Sequence, residues 1–401
     1  MRKSLGLALG FVCMIFLSFP VFAGDVAAGT AAQMALSAAG AKGAVMMEAA
    51  SGRVLYEKDS HLPLPMASTT KIMTALITLE QEELDVFFVV DSAAIHVEGT
   101  SMGLVQEDQT TLRTLAWGML LASGNDAANA AAFKISGSSE AFCQLMNQKA
   151  DELGMRDTVF ESPSGLDVGD HHSTAYDMAL LARAALENDD FSQIVRAKSA
   201  QVCYGNPPYH RWLTNHNRLL WQCDDCIGLK TGFTKKAGRC LVSAAQRDGL
   251  TLIAVTLGCP NDFTIHHDLY DRCFASLSFF NATDHLSDLS IPITGASEKK
   301  LPVKALWPLG AYLVGGESAL CRVSLTLEPF VYAPVAQGRV VGSATLLLDG
   351  RELAWTPLVA AEERLSRFTD TRSLLQKIRD FFDHPEYYRF PLNERVEGAS
   401  Q

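Results

Sequence analysis

The order of strand-like and helix-like patterns is the feature of this chain that most restricts its fold. Two short strands are predicted first, at 44–50 and 54–57. Helical periodicity follows, and its first apolar stripe is Ile72, Leu76 and Leu79. Three more strands are then predicted, at 227–233, 238–245 and 250–257. Helices enclosed between an opening hairpin and a closing antiparallel run predict an α+β fold, with helices packed on an antiparallel sheet.

A second, β-rich region begins where the composition changes, near residues 281–284. Short apolar runs punctuated by Gly and Pro predict a small all-β domain. The apolar stripe after it predicts a C-terminal amphipathic helix and consists of Leu374, Leu375, Ile378, Phe381 and Phe382. We therefore expect a first domain at 24–282, the all-β domain at 283–368, and the helix with a polar tail at 369–401. Peripheral membrane contact through residues 371–383 and docking on the chain's own domain both stay open.

The first 23 residues have the pattern of a secretory signal peptide. A basic start, Met1-Arg2-Lys3, precedes an apolar run from Leu5 to Phe22, and small residues at the −3 and −1 positions permit a cut before Gly24. An uncleaved anchor helix or a buried core helix is the alternative. Signal peptide 1–23 predicts an extracytoplasmic protein, at the cell wall or the outer face of the cytoplasmic membrane.

Charge and cysteine content exclude some function classes. The formal net charge of −11 argues against a nucleic-acid partner that depends on phosphate neutralisation. Eight of the nine cysteines follow the signal peptide, an even number that permits disulfides outside the cytosol. Cys223 and Cys226 have CxxC spacing, for which redox, zinc and structural roles all exist. Because no second metal-binding pair follows, we predict no metal site, and we predict no cofactor.

Three short motifs carry the chemistry: Ser68-Thr-Thr-Lys71 (SxxK), Ser123-Gly-Asn125 (SxN) and Lys230-Thr231-Gly232 (KTG). Each motif alone is weak evidence for a site, as is shown by a second SxxK at Ser297–Lys300, which lies in a polar loop without partner motifs. The set is specific because each member falls in suitable local structure: a helix start, an interhelical turn and a strand.

Together, the residue types in these motifs are those that a serine nucleophile and its base require. A serine hydroxyl needs a base, and Lys71 shares a helical face with Ser68 at i, i+3. Burial and a second cation, Lys230, would lower the pKa of Lys71 so that its amine is neutral. Ser123 can relay a proton to the leaving nitrogen, while Asn125 orients Lys71 and binds substrate.

The third motif, KTG, is suited to binding the terminal carboxylate of a peptide. Lys230 and Thr231 offer a cation and a hydroxyl to a terminal carboxylate. Gly232 lets a substrate backbone lie against the strand edge, where it would add as an extra strand. The backbone N–H groups of Ser68 and Phe233 are the expected oxyanion donors, and one such donor contributes roughly 3 kcal/mol.

These motifs and their surroundings resemble the serine D-alanyl-D-alanine carboxypeptidases, the low-molecular-mass penicillin-binding proteins of bacterial cell walls. The resemblance extends over roughly residues 30–385 and includes Gly43–Tyr56, Ser164–Asp167, His172–Asp177, Lys230–Ala245, Ala333–Val335 and Pro357–Val359. It implies a β-lactamase/transpeptidase-like domain, then the family's C-terminal β domain and an amphipathic helix. It also implies that Ser68 is acylated, that Lys71 is the general base, and that Ser123, Asn125, Lys230, Thr231 and Gly232 complete the site.

The implied reaction removes the terminal D-Ala from peptidoglycan stem peptides ending in D-Ala-D-Ala, and β-lactams would trap Ser68. A D,D-endopeptidase or a serine β-lactamase would share the acylation chemistry. A β-lactamase is disfavoured because the second motif is Ser-Gly-Asn and the only nearby acid for deacylation is Glu161. A non-catalytic wall-binding scaffold is the alternative from another class.

Seven residues around the motifs carry weaker expectations. Ser164 stands where many members of the family have histidine. A role for His216 or Arg218 near the substrate carboxylate is weighed against that of solvated loop residues. His171 and His172 are interpreted as loop and helix-start residues rather than ligands. Cys226 and Cys240 flank the KTG hairpin, and we hypothesise that they face each other and are bridged.

Overall fold

The computed structural model of the chain describes residues 37–367 together with Gln376, Arg379 and Asp383. The predicted signal peptide and most of the predicted C-terminal helix lie outside the described residues. Among the residues described, no helix combines the length and the apolar character needed to cross a bilayer.

The described part of the chain contains helices in its first three quarters and strands throughout. The helices are α1 (Lys71–Leu79), α2 (Ser92–Ile95), α3 (Leu112–Leu120), α4 (Asn125–Ser136), α5 (Ser139–Leu153), α6 (Ala175–Glu187), α7 (Asp189–Arg196), α8 (Leu219–Gln222) and α9 (Asp262–Ser276). Short 3-10 helices lie at Ala67–Thr70, Thr283–Leu286 and Glu317–Leu320. The strands up to the end of the first region are β1 (Gly43–Glu48), β2 (Val54–Lys58), β3 (Phe88–Val89), β4 (Gln109–Thr110), β5 (Ser199–Gly205), β6 (Pro208–Thr214), β7 (Cys226–Thr234), β8 (Gly238–Arg247), β9 (Leu250–Leu257) and β10 (Leu277–Asn281). The remaining strands are β11 (Ser290–Thr294), β12 (Lys300–Ala305), β13 (Gly310–Val314), β14 (Cys321–Leu327), β15 (Val331–Tyr332), β16 (Val340–Leu348) and β17 (Arg351–Ala360).

The central sheet of the first region is antiparallel, with the strand order β2-β1-β9-β8-β7. Side chains alternate across a strand, so neighbouring residues reach different cores. Val45 and Val255 belong to the core formed with the central helices, whereas Met46 and Ala254 pack with Tyr270 of α9. Both faces of the sheet are therefore covered by helices, and β7 lies at one edge.

Helix α1 lies at the centre of the helical layer, and every residue from Lys71 to Leu79 is buried. A helix that is apolar on nearly all sides is stable only inside a core. Helices α3 and α6 begin at threonines whose hydroxyls accept backbone N–H bonds, from Thr114 at 3.1 Å and from Asp177 at 3.0 Å. Helix α3 ends just before the SxN motif, which is thus held at a turn between two helices.

The second region is an all-β unit with its own hydrophobic core. Its main sheet has the strand order β14-β16-β17-β12-β11-β15, and β10 pairs with β13 beside it. Contacts that join it to the first region include the ion pair of Arg53 and Glu317 at 3.0 Å and the hydrogen bond that the Tyr312 hydroxyl donates to the Asp248 carbonyl at 2.6 Å. The expected α+β class followed by a small all-β unit is confirmed.

Candidate functional site

Ser68 lies in the 3-10 turn Ala67–Thr70, immediately before α1. Ala67 has a left-handed backbone with φ +50, which marks a sharp turn into the helix. Lys71 is three residues after Ser68, and its Nζ lies 2.8 Å from the Ser68 Oγ, within hydrogen-bond distance. The helical spacing predicted from SxxK thus gives direct contact between the hydroxyl and the amine.

The Lys71 amine is fully enclosed and makes two further hydrogen bonds. Nζ donates to Asn125 Oδ1 at 2.7 Å and to the Ser164 carbonyl at 2.6 Å. The Lys71 side chain has no exposed surface. Its three partners come from three separate segments of the chain, so the amine has a defined position facing the hydroxyl.

Two buried lysines set the electrostatics of the site. Burial, and then the positive charge of Lys230, hold the pKa of Lys71 well below its ordinary value, while Asp126 opposes this shift. Burial alone lowers the pKa of Lys230 to about 7. Because the charge of Lys230 adds to burial at Lys71, the arrangement favours a neutral amine at Lys71 and leaves the remaining positive charge on Lys230.

Asp126 fixes the position of the 98–104 loop beside the site. This buried carboxylate accepts bonds from Ser101 Oγ at 2.6 Å and from the Met102 amide at 2.9 Å. Beside it, Asn125 Nδ2 donates to the Glu98 carbonyl at 2.6 Å, so the 98–104 loop is tied to the start of α4. The sequence analysis missed Asp126, although an acid directly after SxN at a helix start was a usable signal.

The KTG motif lies on the edge strand β7, against the nucleophile turn. A Cβ added to Gly232 would lie 3.0 Å from the Ser68 amide nitrogen, so a side chain here would push the nucleophile turn away by a few tenths of an ångström. Lys230 is 1% exposed and its Nζ donates to the Thr231 carbonyl at 2.8 Å. Phe233 is 65% exposed at the mouth of the site.

A loop at 160–172 packs beneath the nucleophile turn and is held there by His171. Burial lowers the pKa of His171 to about 4, so the ring is neutral at physiological pH. Its Nδ1 accepts the Glu161 amide at 3.0 Å, which assigns the ring proton to Nε2. Nε2 then donates to the Thr70 hydroxyl at 2.9 Å, and that hydroxyl donates to the Ala67 carbonyl at 2.8 Å. His171 is therefore more than the loop residue expected from sequence.

These elements surround a cavity of about 420 Å³. Its lining includes six of the eight predicted site residues, namely Ser68, Ser123, Asn125, Thr231, Gly232 and Phe233. The other two, Lys71 and Lys230, are buried behind this lining. His216 and Arg218 also line it, as do Arg239 and Phe263, which the sequence analysis did not single out.

The hypothesis of a Cys226–Cys240 bridge is wrong. In the β7–β8 register Cys240 faces Gly232, whereas Cys226 faces Ala245. The tight turn after Thr234 sets that register and places the cysteines six positions apart, about 20 Å along the strands. The second SxxK is exposed, in a bend that leads into β12, whose first residue is Lys300. Among the described residues, no cluster of three or more His, Cys, Asp or Glu side chains could hold a metal ion.

Comparisons with known proteins agree on one family for this architecture. The profile of the D-alanyl-D-alanine carboxypeptidases, peptidase family S11, matches residues 28–261, and that of the penicillin-binding protein 5 C-terminal domain matches residues 281–364. The D-alanyl-D-alanine carboxypeptidase DacF of Bacillus subtilis is 30% identical over 345 residues, which cover 80% of this chain and 85% of DacF. Escherichia coli DacC is 31% identical over 337 residues, covering 79% and 82% of the two chains. The crystal structure of DacD from Francisella tularensis superposes with a TM-score of 0.62 at 25% identity, covering 86% of this chain and 98% of that one.

Proposed function

The chain belongs to the D-alanyl-D-alanine carboxypeptidase family of serine peptidases, and on that premise we propose that it trims peptidoglycan stem pentapeptides through an acyl-enzyme on Ser68. The observation that carries this proposal is the position of the Lys71 amine, 2.8 Å from the Ser68 hydroxyl and 2.7 Å from Asn125 Oδ1. A neutral amine at hydrogen-bond distance is the base that a serine nucleophile requires.

Acylation begins when Ser68 Oγ attacks the carbonyl carbon of the penultimate D-Ala and its proton passes to Lys71 Nζ. The oxyanion that forms is stabilised by the backbone N–H groups of Ser68 and Phe233. Ser123 then carries the proton from Lys71 to the leaving nitrogen, and the C–N bond breaks to release D-alanine. Water hydrolyses the resulting ester and restores the serine.

Substrate binding uses the edge of β7. Lys230 and Thr231 bind the terminal carboxylate, for which a residual positive charge at Lys230 is the main attraction. The stem peptide pairs with the strand as an added antiparallel neighbour, and the missing side chain at Gly232 lets its backbone approach Ser68. A β-lactam presents a carboxylate and a reactive carbonyl in a similar relation, so we expect it to acylate Ser68.

Two alternatives receive less support. A β-lactamase needs a base for deacylation, but Glu161 is exposed, accepts the Asp170 amide at 2.5 Å and does not line the cavity. A wall-binding scaffold would not need a buried lysine beside a serine, since burying an amine is costly. An endopeptidase would use the same steps on a cross-linked peptide. Export through residues 1–23 would bring any of these activities to the wall.

The experiment is intact-mass analysis of the mature protein mixed with benzylpenicillin over time, beside Ser68→Ala, with D-alanine release from a synthetic stem pentapeptide measured in parallel. We expect a slowly cleared adduct and D-alanine release in the wild type, and neither in the variant. Rapid drug turnover without an adduct would support the β-lactamase. A folded protein that shows neither adduct nor turnover would support the scaffold.

A further inference from the structure

The CxxC motif forms a tight turn that directly precedes the KTG strand. Cys223 ends α8, Cys226 begins β7, and the Cys226 amide donates to the Cys223 carbonyl at 3.2 Å. This hydrogen bond closes a four-residue β-turn, in which the outer Cα atoms are less than about 7 Å apart. That separation lies within the range that a disulfide can span. Both cysteines are thiols in this structure.

The two thiols differ in access and in acidity. Cys226 is 8% exposed and packs in a core with Leu241 and Tyr270, whereas Cys223 is half-buried. A hydrogen bond from the Cys226 thiol, supported by the backbone amides of Asp225 and Cys226, lowers the pKa of Cys223 to about 7. The same pairing, with burial, raises the pKa of Cys226. The accessible sulfur is thus the nucleophilic one, and the protected sulfur lies next to it.

We propose that Cys223 and Cys226 form a thiol–disulfide exchange site, with Cys223 as the attacking thiol and Cys226 as the resolving thiol. The Cys223 thiolate attacks one sulfur of an incoming disulfide, whose S–S bond breaks to release the first thiol. The Cys226 thiol then loses its proton and attacks the Cys223 sulfur, which forms the internal S–S bond and releases the second thiol. The chain gives up two electrons and two protons, and one incoming disulfide becomes two thiols.

The location of this turn links it to the substrate cavity. Residues 215–223 form one hydrogen-bonded unit, in which Leu219 donates to Asn217 Oδ1 at 3.1 Å and the Cys223 amide donates to the Leu219 carbonyl at 3.0 Å. Arg218 in this unit lines the cavity, and Lys230 follows Cys226 by four residues. An internal disulfide therefore ties the Arg218 side of the cavity to the KTG side.

The test uses the full mature chain, oxidised glutathione as the small disulfide, and oxidised thioredoxin as a protein disulfide in a parallel arm. We expect Cys223 to become glutathionylated first and the adduct then to resolve, with a net loss of about 2 Da mapped to the peptide containing both cysteines. Cys223→Ser should not react at this turn, whereas Cys226→Ser should retain a stable mixed disulfide on Cys223. Cys203→Ser, which removes another half-buried thiol, is the matched control and should behave as the wild type.

A reactivity of Cys223 no faster than that of Cys203, or a mixed disulfide that never resolves in the wild type, would overturn the proposal. Because the readout is mass, it stands apart from the proposed peptidase activity. Ring closure with glutathione alone would assign the site to small disulfides, and closure with thioredoxin alone to protein partners. In an active preparation, we expect reduction to raise KM for the stem peptide about threefold with little change in kcat, since only the cavity wall is loosened.

Discussion

The two regions of the molecule differ most in what they bury. The first region buries several ionisable side chains, among them Lys71, Lys230 and His266, together with many uncharged polar side chains. In the all-β region, within the described residues from 282 onwards, Thr356 is the one buried polar side chain. Burying ionisable and polar side chains costs free energy on folding, whereas burying apolar side chains does not. The comparison teaches that buried ionisable groups occur in the region that contains the proposed site, while the core of the second unit is almost entirely apolar.

Among the variants considered, Lys71→Met should separate the effect on acylation from the effect on stability most clearly. We expect the rate of acylation by benzylpenicillin to fall at least about 1000-fold, because Ser68 loses its base. The melting temperature should change by only a few degrees, since the relief of burying an amine offsets the hydrogen bonds lost at Asn125 and Ser164. Stopped-flow acylation and calorimetry measure the two effects. Wild-type acylation in a folded variant would contradict the assignment of the base.

A pair of glycine variants tests the comparison in both regions. In Gly232→Ala the added Cβ meets the Ser68 amide nitrogen at 3.0 Å, and we expect acylation to slow about 100-fold. In Gly342→Ala the added Cβ meets the Thr326 carbonyl oxygen at 2.2 Å, within the β14–β16 pair. That change should destabilise the all-β unit by about 1–3 kcal/mol and leave acylation intact. The same pattern in both variants would show that the regions are not independent.

Substrate affinity and stability should respond to pH in opposite directions. Lys230 has a pKa of about 7 in the fold, so its charge is lost as the pH rises above that value. We expect kcat/KM to fall about tenfold per pH unit above about pH 8, mainly through KM. From about 7 to the ordinary value of 10.5 the unfolded chain binds more protons than the folded one, so the contribution of Lys230 to stability rises with pH. Lys230→Arg, which stays charged, should flatten the alkaline fall in kcat/KM, and an unchanged slope would refute the role of Lys230.

The smallest effect is expected at His171, which acts through Thr70 on the nucleophile turn. His171→Ala should slow acylation about tenfold, and His171→Gln, which retains a donor, should restore part of the rate. The pH profile should not move, because the pKa of about 4 leaves His171 neutral. Thr70→Val and His171→Ala should be non-additive in a double-mutant cycle, with the neighbouring His172→Ala as the control. Additive effects would exclude a shared contact.

Local patterns predicted the strands of the central sheet, the helix after Ser68 and the three motifs, but neither the β5–β6 hairpin nor the contacts between distant segments. The helical spacing of Ser68 and Lys71 is a property of one helix, so it could be predicted. The bond between His171 and Thr70 joins residues about a hundred positions apart, and no periodicity contains it. The prediction that Cys240 faces Cys226 was wrong for a related reason. The turn after Thr234, rather than the apolar pattern, determines which residues of β7 and β8 face each other.

The edge position of β7 also bears on self-association. An unpaired strand edge is a template on which another chain can add, and long flat edges promote aggregation. Here Gly228, with φ +104, brings the start of β7 so close to α7 that an added Cβ would lie 2.0 Å from the Val195 carbonyl oxygen. Contact with α7 therefore covers the start of β7, so that the free edge is shorter than the nine residues of the strand. An edge of this length can pair with a short peptide, but it is too short for whole strands to pair along it and build a fibril.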